Sequence, residues 1–204
     1  MNVAARFPKD EDVLKVTFLE DENVDGITLV QQSNYVRELQ IRLGDFNRGP
    51  RNRFPGNTAI LLNKTTMSKL KQAGPVVMAP KPLGIRYLLY VDPIGKMYME
   101  NETQHIFIVD QDRAPKPIPK DTVLDGIVVR KIVRDGAAQN NNEVAYGKLT
   151  FVIMDATRIN GVDLTEKNIQ ERISVAQVIR SPWLCGFFFN KMLNNIISHR
   201  LRLC

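Results

Sequence analysis

The sequence predicts an α+β fold: a mostly antiparallel twisted sheet with flanking helices. Three observations carry that reading. Strand-like apolar runs follow one another from Arg86 to Asp155, separated only by turns and loops. Two stretches of helical period, Ser33 to Gly44 and Thr165 to about Ile179, stand outside that block. The block opens on Lys81-Pro82-Leu83-Gly84-Ile85-Arg86, where a proline-flanked segment turns into the run Tyr87-Leu88-Leu89-Tyr90-Val91.

In chain order, residues 1–23 mix acidic clusters with one short apolar run and read as a lead-in segment, partly ordered at best. Tyr35, Val36, Leu39 and Leu43 keep one helical face, with Ser33 or Asn34 as N-cap and an end near Gly44. The stretch from Asn47 to Arg53 is a basic loop with breakers, open to two readings: solvated linker or phosphate contact. Phe54-Pro55-Gly56 is a turn, Ala59 to Leu62 is short and apolar, and Thr65-Thr66 cap a short helix from Met67 to Gln72, closed by Gly74. The expected strands are Arg86 to Val91, Lys96 to Met99, His105 to Val109, Thr122 to Val133 and Tyr146 to Asp155. Pro93-Ile94-Gly95 links the first two as a hairpin turn, and a polar loop from Asp135 to Glu143 precedes the last. Asn160-Gly161 is a turn, and Thr165 caps the final helix, with Ile169, Ile173 and Ala176 on one face. Residues 183–204 form a basic, apolar tail open to two readings: a tail that binds RNA or a membrane surface, or a packed strand and helix, the latter favoured because Phe187-Phe188-Phe189 exposed alone would be an aggregation hazard.

The 204 residues suit one domain of ordinary globular composition, 44% hydrophobic and 25% charged. A net charge of +6 is compatible with a polyanionic partner without specifying one. Two cysteines, both near the end of the chain, make neither a disulfide framework nor a zinc pattern, which points to a reducing compartment. No secretory signal and no run of ~18 apolar residues is visible, so no membrane role is expected.

The loop from Lys81 carries the chemistry. Pro82 sets φ and Gly84 permits positive φ, so the segment turns tightly and presents an amine at the mouth of a sheet, with Arg86 five residues on. Two cations there suit a nucleotide phosphate; an ordinary loop lysine before a core strand is the other reading.

Four features in order add specificity: Phe54-Pro55-Gly56; Lys81-x-x-Gly84-x-Arg86-Tyr87; Val123-Leu124-Asp125-Gly126; and Phe151-Val152-Ile153-Met154-Asp155-Ala156 followed by Ile159-Asn160-Gly161. This series resembles the catalytic domain of the mRNA capping enzymes, the GTP:RNA guanylyltransferases, and most of all the metazoan type. Glu171-Arg172-Ile173 is similar to the family's Glu-Arg-Leu. The resemblance spans 24–182 and implies a nucleotidyltransferase fold of the capping enzyme and ATP-grasp-like ligase kind. It implies that Lys81 is the nucleophile that takes GMP from GTP and passes it to a 5′-diphosphate RNA end. A lysine must be neutral to attack, so cations or desolvation must lower its pKa. By the same resemblance Arg86 contacts the nucleotide sugar and Phe151 stacks on guanine, the latter with sheet core as its alternative. Asp125 and Gly126 lie near ribose, and Gly84 belongs to the nucleotide loop. GTP with Mg²⁺ or Mn²⁺, an RNA 5′ end, the RNA polymerase II machinery and a nuclear location are implied in turn.

Two positions depart from the family pattern. The Asp two residues after the lysine is Leu83, and the Glu after Asp-Gly is Ile127. Leu and Ile offer neither lone pairs nor charge. The later Lys-x-Lys strand and the C-terminal OB-fold have no visible counterpart. The expectation is therefore a degenerate or incomplete guanylyltransferase domain, a pseudoenzyme without metal ligands of its own. The alternative is a non-catalytic module that binds a nucleotide, a capped RNA end or a protein.

Overall fold

The computed structural model describes residues 16–19, 24–48, 53–57, 60–61, 63–72, 82–110, 118–133, 145–177 and 179. Lys81, Gly74, the polar loop and the tail from 183 lie outside them. The elements are β1 (Ile27–Leu29), α1 (Ser33–Phe46), α2 (Lys64–Gln72), β2 (Ile85–Val91), β3 (Met97–Asn101), β4 (Ile106–Val109), β5 (Thr122–Val133), β6 (Ala145–Ile159), β7 (Val162–Asp163) and α3 (Ile169–Ala176). The seven strands form one sheet in the order β1-β4-β3-β2-β5-β6-β7, and every neighbouring pair is antiparallel. With three described helices beside it, the fold is α+β.

Strand alternation separates two cores. On one face Tyr87, Leu89 and Val91 join Phe107, Leu124, Val128, Phe151 and Ile153. On the other, Tyr90, Tyr98, Ile106 and Val123 receive Leu39 and Leu43 of α1. The four-residue spacing of that leucine pair places both on the sheet side of the helix.

Turns are fixed by short polar side chains. Asp92 accepts from the backbone N–H groups of Ile94, Gly95 and Lys96 at 3.0, 2.7 and 2.8 Å, which closes the β2–β3 hairpin. Asn160 and Gly161 have φ of 50° and 78°, so the β6–β7 turn has two left-handed residues in succession.

Several boundaries differ from expectation. Gln32, not Ser33 or Asn34, is the N-cap of α1 and makes no side-chain cap bond. Helix α2 starts at Lys64 because Asn63 and Thr66 cap it reciprocally: Thr66 N donates to Asn63 Oδ1 at 2.9 Å, and Asn63 N to Thr66 Oγ1 at 2.7 Å. Helix α3 starts at Ile169, not Thr165, because Asn168 and Glu171 form a capping box; the Thr165 hydroxyl is held by Asp163. Ile60 and Leu61, in the short apolar run, are exposed. Within the segment read as a partly ordered lead-in, residues 16–19 pack on the sheet. Phe18 is buried, its ring stacks on Tyr87 at 4.7 Å, and its carbonyl accepts from the Tyr87 hydroxyl.

Candidate functional site

The site is built where β2 meets β5. Arg86 lies one residue into β2, opposite Ile127, with Leu88 opposite Asp125. Alternation puts Arg86 and Asp125 on one side, and the guanidinium closes a two-point contact: Nε donates to Oδ1 at 2.9 Å and Nη2 to Oδ2 at 2.6 Å. Register shifts fall on both sides of Leu124-Asp125, between Val123 and Leu124 and between Asp125 and Gly126. Such irregularities re-aim side chains and recur beside functional sites. Burial and the neighbouring Asp155 charge hold the Asp125 carboxyl above its ordinary value against the pull of Arg86, while the carboxylate holds the Arg86 guanidinium above its own.

The turn before α2 completes this corner. The Arg86 guanidinium sits 5.1 Å from the centre of the Phe54 ring, within range of a cation–π contact. Pro55, next to Phe54 in the turn, is buried. A Cβ on Gly56 would come within 2.9 Å of Arg86 Nη2 and 3.1 Å of Asp125 Oδ2, so only glycine lets this turn approach the ion pair. Gly84 has the same role one strand away: a Cβ there would strike the Val128 carbonyl and lie 2.9 Å from Ile127 Cγ2. Among the described residues, Arg86 Nη1 meets the exposed Glu102 at 3.5 Å. Arg86 and Glu102 also line a cavity of about 330 Å³, with Phe18, Tyr87, Asn101 and His105 in its wall. Burial lowers the His105 pKa, which favours the neutral ring.

Gly84, Arg86 and Asp125 thus come together. Gly126 and Phe151 do not join them. Gly126 pairs with Tyr87, and Phe151 with Val128, both on the opposite face. Phe151 is 6% exposed within that core, its ring against Gly126. Of its two readings, sheet core is the one its surroundings support. Lys81 lies outside the described residues, next to Pro82. Leu83 is 95% exposed and Ile127 is buried.

Other features join residues whose pairing the sequence did not reveal. Asp155, the cross-strand partner of Asp125, is held by Arg172 of α3, Nε to Oδ1 at 2.7 Å and Nη2 to Oδ2 at 2.8 Å. Glu100, opposite Leu88 on β3, is buried with both carboxylate oxygens unpartnered among the described residues, and burial pushes it up to about 7. Among the described residues no three side chains of metal-ligating type converge on a cation position. Asp125 and Asp155 are each occupied by an arginine, so these residues do not fit a protein-held Mg²⁺ or Mn²⁺, and no step is derived through one.

The seven-stranded antiparallel sheet with its helices, and a glycine-framed arginine at the mouth of one strand, are consistent with a nucleotidyltransferase-like α+β domain. The chain matches the family "mRNA capping enzyme, catalytic domain" over residues 19–182 and belongs to that family. The matched span contains all four sequence features from Phe54 to Gly161. Membership supports guanylyltransferase-type function in general, with GTP and an RNA 5′ end as the family's substrates. No curated protein matches the chain. Among the described residues no helix is long and apolar enough to cross a membrane.

Proposed function

We propose that this chain is a capping-type guanylyltransferase domain, of the metazoan kind, that retains nucleotide binding and has lost most of its transfer activity. The single observation that carries this reading is the corner made by Arg86, Asp125, Phe54 and Gly56. It holds a guanidinium in a two-point contact, on a residue that lines a cavity, directly after the loop that begins at Lys81. In the family reaction the lysine amine attacks the α-phosphorus of GTP. A P–N bond forms, the bond to pyrophosphate breaks, and GMP then passes to the RNA diphosphate. In this chain Lys81 is the candidate nucleophile and Arg86 the nucleotide contact, with Gly84 and Asp125 setting their geometry. Divalent metal enters with GTP rather than on the described side chains.

The loss of transfer follows from Leu83 and Ile127. Leu83 points into solvent, and Ile127 is packed under Gly84, so neither position offers a carboxylate to the ribose or the metal. Contacts of this kind, made most strongly in the transition state, are worth ~3 kcal/mol each, or about two orders of magnitude in rate. The alternative, a non-catalytic module for a nucleotide or capped RNA end, shares the same corner. A nuclear role with the polymerase II machinery accompanies either reading.

Incubation with labelled GTP and Mn²⁺, followed by denaturing electrophoresis, is expected to show labelling at background. Robust labelling that vanishes in Lys81→Ala would restore full catalysis. Fluorescent GTP is expected to bind weakly, to bind more weakly still at higher salt, and to be lost in Arg86→Lys, which keeps the charge and gives up the fork. Equal binding by wild type and Arg86→Lys would remove the ligand from this corner.

A further inference from the structure

We infer that Arg172, acting through Asp155, is a positioning residue for Arg86. The inference builds on the nucleotide role proposed for Arg86 and adds a second arginine, carried by α3, that keeps the first in place.

Two ion pairs stand back to back across the β5–β6 ladder. Arg86 holds Asp125 from β2, Arg172 holds Asp155 from α3, and the two aspartates are direct cross-strand partners. Opposed positions in an antiparallel pair bring side chains to within ~5 Å. Both carboxylates are nearly buried, with side-chain exposures of 8% and 10%. Two neighbouring carboxylates at that depth repel one another unless each has its own cation. Arg172 supplies the second. Its third contact, Nη1 to the Lys167 carbonyl at 2.6 Å, fixes the guanidinium plane, and the Asn168–Glu171 capping box fixes the helix that carries it. Asp155 also accepts from the backbone N–H of Ala156 at 2.7 Å, which ties the carboxylate to its own strand.

Without Arg172, two adjacent carboxylates are left to one guanidinium. Arg86 is then shared between Asp125 and Asp155 and leaves its two-point geometry, and the guanidinium offered to the nucleotide moves with it. Removing Asp155 as well takes away the competitor and returns Arg86 to Asp125. A residue needed only to hold α3 on the sheet would not behave in this way, because a second deletion would add to the damage.

The experiment compares wild type, Arg172→Met, Arg172→Lys and the double variant Asp155→Asn/Arg172→Met. Two signals are followed: the Arg86 Nε–Hε resonance in ligand-free protein, and titration with fluorescent GTP. Arg172→Met is expected to shift or broaden the Arg86 resonance and to weaken GTP binding roughly tenfold, the usual size of coupling through packed ionic contacts. The double variant is expected to restore both, and Arg172→Lys to fall between. Should Arg172→Met not fold, Arg172→Lys takes its place as the perturbed protein. An Arg86 resonance that does not respond to either Arg172 variant overturns the inference, as does a double variant no better than the single. If wild type binds no GTP, the nucleotide reading of Arg86 fails, and the resonance alone still decides whether Arg172 positions it.

Discussion

Glu100 is the residue whose environment fits its chemistry least. It is 1% exposed, lies opposite Leu88 in the ladder, and has no hydrogen-bond partner among the described residues on either oxygen. Burial raises its pKa from 4.5 to about 7. The folded chain therefore keeps this proton over a range in which the unfolded chain has released it. Stability is expected to fall as pH rises from about 4.5 to about 7 and to level off above that, a loss on the order of 3 kcal/mol from this group. Glu100→Gln keeps the shape and removes the ionisation. Urea unfolding at pH 5 and pH 8 is expected to show the variant more stable than wild type at pH 8, with the gap nearly closed at pH 5. A gap of equal size at both values would place the effect in packing instead of charge.

Elements were legible where local chemistry decides them. Thr122 to Val133 is a strand over the expected residues, and the apolar run after Arg86 is a buried strand, because short runs rich in β-branched and aromatic residues between turn signals suffice to specify both. Strands of three and two residues, β1 and β7, pass below what periodicity can register. The start of α3 was displaced because Asn168 and Glu171 form a reciprocal cap, a stronger local signal than Thr165. Asn168→Ala removes that cap and is expected to cost about 1 kcal/mol, seen as a thermal midpoint lower by roughly 2–4 °C. The site was legible only in part. The Lys81-to-Arg86 loop declares itself through Pro82 and Gly84. The Arg172–Asp155 pair does not, since 17 residues separate partners that only the folded sheet and helix bring together. The side to which Phe151 points depends on irregularities in β5 pairing that no alternation pattern reveals.

At the scale of the molecule, the sheet needs cover on both faces. Helix α1 supplies it on the side of Tyr90 and Tyr98, and Phe18 helps supply it on the side of Tyr87 and Phe107. Phe18→Ala empties the space between those two rings and exposes the Tyr87 side to water. The expected cost is about 3–5 kcal/mol, measured as a lower urea midpoint with an unchanged slope. Because Phe18 also walls the cavity beside Arg86, the same variant is expected to weaken fluorescent GTP binding under conditions in which it remains folded.

The strand order has a kinetic consequence. Strands β2, β3 and β4 form one meander of sequence neighbours, and β5, β6 and β7 another; β2 against β5 is the seam between them. Within each meander, pairing closes between consecutive strands, whereas Val91 meets Thr122 only across the whole of the intervening hairpin. Arg86 and Asp125 belong to opposite sides of that seam. Each half can form its hairpins alone, yet neither contains a site. The ion pair is therefore a late event in assembly, and a chain arrested with its two meanders folded but undocked would keep most of its strand content while presenting nothing for a nucleotide to recognise.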